Sequence, residues 1–327
     1  MVAVAKIVVP KAGQTIAGKY RLLRRIGSGG MADVFEAEHI YTRRLVAMKI
    51  MHPMLVADTP EITERVFREA AIASAIAHPG IVGVLDAGED VTGVLYIAFE
   101  LLDGEDLETA LYDGRVGPRD LVIIAVKTLE ALAAVHAAGI VHRDVKPANV
   151  FLARTARGRW SVKLLDFGIA LEIDDGARFE QDRGTVVGTV EYMSPEQALG
   201  DPIDARTDIY AMGALLFRGL AGRMPFIASD YQKLLVMVAT EDAPSIAKFR
   251  PDLPEALVAI VDQALLRDRD ARFDCAEAMA YRLRTIDLDA IADLPGAPGA
   301  AWGVRERRTS SLPTRRQDEY PAPSAWR

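Results

Sequence analysis

Cysteine is almost missing. Cys275 stands alone among 327 residues, so no disulfide can form within the chain, and the composition suits a reducing compartment. A lone cysteine is expected to serve as a small buried apolar group rather than a reactive thiol. An excess of positive charge is missing too. There are 39 Lys and Arg against 46 Asp and Glu, a net charge of −7, which argues against a dedicated nucleic-acid binder. No hydrophobic run reaches the length of a membrane span, and stretches such as Tyr210 to Phe217 are core-sized. Met1 to Pro10 is apolar but carries Lys6 and no cleavage-like site, so no signal peptide is read there. A cytoplasmic location is the expectation. What the chain does have is apolar mass: 50% of its residues are hydrophobic. That is enough for a full core, in a length that fits one large domain or two ordinary ones.

Chemistry concentrates in His142-Arg143-Asp144-Val145-Lys146-Pro147-Ala148-Asn149 and, further on, Asp166-Phe167-Gly168. Together these stretches carry two carboxylates, a carboxamide and a lysine on short loops. Reactions at phosphate use such a set. One carboxylate takes or orients a hydroxyl proton. The other holds a metal, and the Asn completes its shell with a neutral oxygen, a donor type that hard Mg²⁺ prefers. The Lys meets charge on the moving phosphoryl group. In order and at this separation, H-R-D-x-x-x-x-N followed by D-F-G resembles the catalytic and metal loops of the protein kinases.

The N-terminal part is then read in that light. Residues 1–17 form a short leader. Tyr20 to Ile26 is predicted as a strand leading into Gly27-Ser28-Gly29-Gly30-Met31-Ala32-Asp33-Val34-Phe35. Glycines there let a turn approach phosphates closely, with backbone N–H groups donating. An ordinary hairpin is the reading in isolation, and Ala32 departs from G-x-G-x-x-G-x-V, standing where the third glycine belongs. Val46-Ala47-Met48-Lys49-Ile50 reads as a buried strand with one charge. It resembles the family's V-A-x-K, whose lysine grips the α- and β-phosphates. Pro60 to Ala77 is predicted helical, and Glu69 within it is the candidate partner of Lys49, with Glu61 and Glu64 as competitors. Ile81 to Leu85 and Val94 to Phe99 are predicted strands. The resemblance makes Phe99 the gatekeeper, makes Glu100-Leu101-Leu102 the hinge meeting adenine through backbone groups, and offers Asp103 or Asp106 to the ribose. Solvated loop acids are the equal reading of those two.

In the C-terminal part, Pro118 to Ala138 has apolar residues at helical spacing and ends at Gly139, read as its C-cap. The resemblance assigns Asp144 the proton of the substrate hydroxyl, Lys146 the transferred phosphoryl, and Asn149 and Asp166 the Mg²⁺. It makes His142 structural. A lysine at 146 is the Ser/Thr-kinase form. In the polar loop after Gly168, Thr185 is the candidate phosphosite, whose phosphate Arg143 would meet. Thr189 resembles the threonine that bonds the catalytic Asp and Lys. Ser194-Pro195-Glu196 departs slightly from A-P-E, and Glu196 is expected to pair with Arg272. Asp208 is read as the N-cap of a helix running to about Leu220 that also holds the catalytic loop's backbone. Leu257 to Leu266 and Ala276 to Ile286 are predicted helices. From 286 a flexible Pro/Ala/Arg-rich tail follows, including Arg307-Arg308-Thr309-Ser310-Ser311.

The chain is thus similar to the eukaryotic-type Ser/Thr protein kinases, in their bacterial branch. The implied fold is α+β and bilobal: a small β-rich lobe (18–99), a hinge (100–103) and a larger helical lobe (104–285). The resemblance implies ATP and Mg²⁺, with Mn²⁺ as an alternative metal, and protein substrates with no nucleic-acid partner. By analogy it also implies a homodimer through the small lobe. The rival reading is a non-catalytic pseudokinase scaffold. The chain is expected to be either a soluble kinase or a piece of a longer protein.

Overall fold

A strand that is apolar at successive positions buries both faces of a sheet, and the stretches Leu45–Met51 and Leu95–Glu100 do this. The computed structural model describes residues 10–53, 56, 61–154, 160–166 and 190–291. An antiparallel six-stranded sheet runs in the order β1-β2-β3-β4-β6-β5. Its strands are β1 (Thr15–Ile16), β2 (Tyr20–Ser28), β3 (Ala32–His39), β4 (Leu45–Met51), β5 (Val84–Glu89) and β6 (Leu95–Glu100). Along β4, Val46, Met48 and Ile50 join one apolar cluster with Tyr96 and Ala98. Ala47 and Met51 join the other cluster with Leu95, Ile97 and Phe99. Period-two geometry therefore puts Lys49 on the second face. That second cluster also takes in Phe151, Ala153 and Leu165 from beyond the sheet, so Lys49 faces the residues that carry the chemistry. Helix α1 (Glu61–Ala75) closes the same face through Ile62, Val66 and Ala70.

The rest of the described chain is mainly helical: α2 (Leu107–Tyr112), α3 (Pro118–Ala137), α4 (Pro195–Leu199), α5 (Arg206–Ala221), α6 (Tyr231–Thr240), α7 (Glu255–Ala264) and α8 (Ala276–Arg284). A small sheet pairs β7 (Gly104–Asp106), which precedes α2, with β8 (Val150–Arg154) and β9 (Trp160–Leu164), which follow α3, and it carries the loops. Every residue of α5 from Thr207 to Leu220 is buried. A helix buried all round belongs in the middle of a core, and α5 packs against α3 and α7. Helix α3 buries Leu121, Ala125, Leu129, Leu132 and Val135. It stops in a Schellman motif, in which the Gly139 N–H reaches the His136 carbonyl (2.9 Å) and the Ile140 N–H reaches Val135 (3.3 Å). Gly139 has φ +76°, the left-handed geometry this stop needs, but the cap position itself is Ala138. The architecture is α+β, with a β-rich part and a larger helical part, as expected. Among the described residues, no helix is long and apolar enough to cross a membrane.

Several boundaries move for physical reasons. Thr15–Ile16 pairs with β2, so the segment read as a leader supplies a strand. Ile286 and Ile291 are buried in the main core, so packed chain continues past 285. The strand predicted at Ile81 to Leu85 begins only at Val84. Before it, Ile81 bridges Leu164, and the Val82 N–H donates to the Leu164 carbonyl (3.1 Å), so residues 81–82 belong to β9's edge. Helix α5 starts at Arg206 with Ala205 in the cap position and no side-chain cap. Asp208 is therefore inside the first turn and is not an N-cap. Asp106 is neither a solvated acid nor turned to an open cleft: it is buried and caps α2, accepting from the Thr109 N–H at 2.7 Å.

Candidate active site

The loop after α3 is held from below by one carboxylate. Asp208 is fully buried, and its oxygens accept the His142 N–H (2.8 Å) and the Arg143 N–H (2.9 Å) and meet His136 Nε2 at 2.7 Å. Taking a carboxylate out of water is costly unless donors replace the lost water, and here two of its partners are backbone groups of the catalytic loop. Those bonds hold Arg143 at φ +68°. A non-glycine residue there costs on the order of 1–2 kcal/mol, and the strain sits directly before Asp144. The second half of the sequence reading of Asp208, as a clamp on the catalytic loop, is the half the structure bears out.

Around Asp144 the short spacing of the motif becomes a cluster. Lys146 Nζ lies 2.8 and 2.7 Å from the two Asp144 oxygens. Asn149, in the single 3₁₀ turn Pro147–Asn149, donates through Nδ2 to the Asp144 carbonyl (2.8 Å) and to Asp144 Oδ2 (2.9 Å). The amide nitrogen is thereby committed, and the amide oxygen is the atom left to face a metal. His142 is buried and structural, as expected. The Asp144 N–H donates to its Nδ1 (3.3 Å), so the ring donates through Nε2 to the Leu165 carbonyl (2.9 Å). The Leu165 N–H in turn reaches the Asn149 carbonyl at 2.8 Å. These bonds tie the loop carrying Asp144 to the loop carrying Asp166.

Lys49 arrives from the sheet, with Nζ 2.9 Å from Asp166 Oδ1, both side chains about five-sixths buried. The two positions are 117 residues apart. Glu69 lies in α1, but its side chain is outside the described ones. At the hinge, the Glu100 N–H is spent on the Gly83 carbonyl (2.9 Å). Its carboxylate accepts from the Gly83 N–H (2.9 Å) and pairs with Lys163 at 2.6 Å. Leu102 is buried in the cluster beside Phe99, and Asp103 is exposed. Gly104 then has φ +146°, and a Cβ there would lie 2.0 Å from the Leu152 carbonyl oxygen, so only glycine passes this crossing of β7 over β8. Gly27 and Ser28 close β2, and the turn over Gly29 and Gly30 is short, with the Gly29 N–H on the Ala32 carbonyl (2.9 Å). Val34 and Ala47 are buried on the cleft face. Thr185, Thr189, Phe167 and Gly168 lie outside the described residues.

Below the site, Glu196 and Arg272 form a bidentate pair with both bonds at 2.8 Å, and both side chains are out of water, which excludes a surface pair. Burial alone would raise the Glu196 pKa, but the hydrogen bonds and charge of Arg272 more than offset it, and the carboxyl is held below its ordinary value. Three contacts have no counterpart in the sequence reading. They are the Lys163–Glu100 pair, the buried Arg218 with Glu108 and the Tyr192 hydroxyl, and Gln197, whose Nε2 donates to the Arg143 carbonyl. Only the last had a local signal: Ser194-x-x-Gln197 is a capping-box pattern.

The protein kinase domain family matches residues 20–283. The serine/threonine-protein kinase PknB of Mycolicibacterium smegmatis is 36% identical, over 86% of this chain and 45% of that protein. The serine/threonine-protein kinase PrkC of Bacillus subtilis is 35% identical, over 84% of this chain and 41% of that protein. The crystal structure of the Mycobacterium tuberculosis PknI kinase domain superposes with a TM-score of 0.65 at 29% identity, covering 84% of this chain and 99% of that domain. The chain spans between 34% and 51% of the length of the curated relatives it matches. With four-fifths of its length inside one family match, and with bacterial serine/threonine kinases as its relatives, the chain belongs to the protein kinase domain family, in the bacterial serine/threonine branch.

Proposed function

We propose that the chain is an ATP-dependent serine/threonine protein kinase that transfers the γ-phosphoryl group of ATP to protein hydroxyls, its own among them. The observation that carries this reading is the convergence of Lys146 and Asn149 on the Asp144 carboxylate, with Lys49 and Asp166 joined across the cleft. Asp144 orients the substrate hydroxyl and accepts its proton. Lys146 brings a positive charge to 2.7 Å from that carboxylate, where the transferred phosphoryl group needs compensation. Lys49 serves the α- and β-phosphates, with Glu69 as the acid that steadies it. Gly27, Ser28, Gly29 and Gly30 cover the phosphates. Val34 and Ala47 roof the adenine, and backbone groups of Glu100 and Leu102 meet it. Thr189 completes the Asp144–Lys146 set, and Thr185 is the phosphosite of the loop. The protein does little covalent work, so positioning and charge carry the rate.

A divalent metal fits the donors present. The Asn149 amide oxygen and the Asp166 carboxylate are hard oxygen ligands, and a site with two protein ligands leaves room for phosphate oxygens and water, as Mg²⁺ prefers. Mn²⁺ accepts the same donors. When bound, the metal would supply charge neutralisation at the phosphoryl oxygens. The test is MgATP titration together with label incorporation into the chain and into a generic basic protein, with wild type beside Asp166→Asn. Loss of both metal-dependent binding and incorporation in the variant is expected. ATP binding by wild type with no incorporation into either protein would replace this reading with a scaffold.

A further inference from the structure

We propose that Gln197 is a positioning residue for phosphoryl transfer, acting through the peptide bond that precedes Asp144; this rests on the kinase reading above. Gln197 is the third residue of α4, whose N-cap is Ser194. Its Oε1 accepts from the Ser194 N–H (3.1 Å) and the Ser194 hydroxyl (3.3 Å), and its own N–H donates to Ser194 Oγ (3.4 Å). This is a capping box, which Glu completes as well as Gln. Negative charge at a helix N-terminus is favoured, so the cap gives no reason for an amide. The reason lies at the other end of the side chain. Nε2 donates to the Arg143 carbonyl at 3.1 Å, across 54 residues of sequence. A carboxylate there would set oxygen against oxygen.

That carbonyl belongs to the Arg143–Asp144 peptide plane. The plane's other polar group, the Asp144 N–H, makes a long bond of 3.3 Å to His142 Nδ1, so the Gln197 bond is the shorter of the two. Arg143 itself is in the left-handed region, with its N–H on Asp208. Its N–H is thus fixed by α5 and its carbonyl by α4. The neighbour of Gln197, Glu196, is locked to the buried Arg272, which gives α4 a firm base. Gln197 hands that base to the catalytic loop. It touches no reacting atom, and its effect reaches the chemistry only through the aim of the Asp144 side chain.

Gln197→Glu separates the two ends: the cap survives and the donor is lost. Gln197→Met removes donor and acceptor without adding charge. The expected result for Gln197→Glu is a melting temperature no more than about 4 °C below wild type, the cost of one hydrogen bond, and an ATP KM within about twofold. Its kcat falls on the order of tenfold, as a small misplacement of a reacting group produces. Gln197→Met loses kcat similarly and melts lower. Hydrogen exchange at the Asp144 amide, which requires no turnover, quickens on the order of tenfold in both variants as the plane loosens. Unchanged kcat and exchange in Gln197→Glu would overturn the proposal, and so would a kcat loss matched by a larger fall in melting temperature and a higher ATP KM. An inactive wild type would instead remove the kinase reading, and the exchange rates would still decide whether Gln197 holds the plane.

Discussion

Truncating Glu196 to alanine strands a guanidinium in the core. Arg272 has no exposed side-chain surface, and Glu196 supplies two of its hydrogen bonds, at 2.8 Å each. The arginine keeps the carbonyls of Leu266 (2.7 Å), Arg206 (3.1 Å) and Arg267 (3.1 Å), and lies 5.0 Å from the Tyr210 ring centroid. Removing one member of a buried pair costs about 3–5 kcal/mol. The surviving partners place Glu196→Ala at the lower end, about 3 kcal/mol. For a domain of this size that is a fall in melting temperature of about 6–12 °C. Glu196→Gln keeps an acceptor for the arginine and for the Thr207 hydroxyl, which donates at 2.9 Å, so its loss is about half as large. Changing Arg272 to Met in the alanine background removes the stranded charge and recovers part of the loss. Thermal melts by circular dichroism of the three variants read this directly. A fall under about 2 °C in Glu196→Ala is what an exposed pair gives, and it would refute the reasoning.

The same pair sets an acid limit. Because the Glu196 pKa is lowered from 4.5 in the fold, its stabilisation is complete above about pH 4.5 and is lost as pH falls through the lower folded value. Denaturant melts of wild type and Glu196→Gln should differ at pH 6 and converge on acidification; a gap that widened in acid would reverse the sign. Asp208→Asn keeps one oxygen for three donors, which include the His142 and Arg143 N–H groups. It is expected to lose about 2–3 kcal/mol of stability, in line with bonds to a charged acceptor, and to lower kcat more than ATP KM, measured by steady-state kinetics.

Legibility in the sequence followed chain distance. Asp144, Lys146 and Asn149 lie within one short loop, so residue type and spacing were enough to group them. Lys49 and Asp166 are 117 residues apart and were readable only because each sits in a recognisable local pattern. Lys163 and Glu100, on different sheets, have no such pattern, and only the folded register brings them to 2.6 Å. Asp208 and Asp106 were misread in complementary ways. An acid near a helix start looks like a cap, yet Asp208 lies inside the turn, where its carboxylate serves the loop. Asp106, offered to a ribose, is the cap. Ile81 and Val82 read as a strand because they are β-branched, but tertiary pairing with Leu164 overrides that local preference. Gln197 escaped notice because its local pattern points only to a helix cap, and its bond to the Arg143 carbonyl spans 54 residues.

The central claim, that the Asp144 cluster transfers phosphate to protein hydroxyls, is tested most directly by incubating wild type and Asp144→Asn with labelled ATP and Mg²⁺ and identifying the phosphorylated residues. The account predicts label on serine and threonine of the chain and of a basic protein acceptor, falling by about 10²–10⁴ in the variant, the range for a lost general base. Equal incorporation by the two proteins would contradict it.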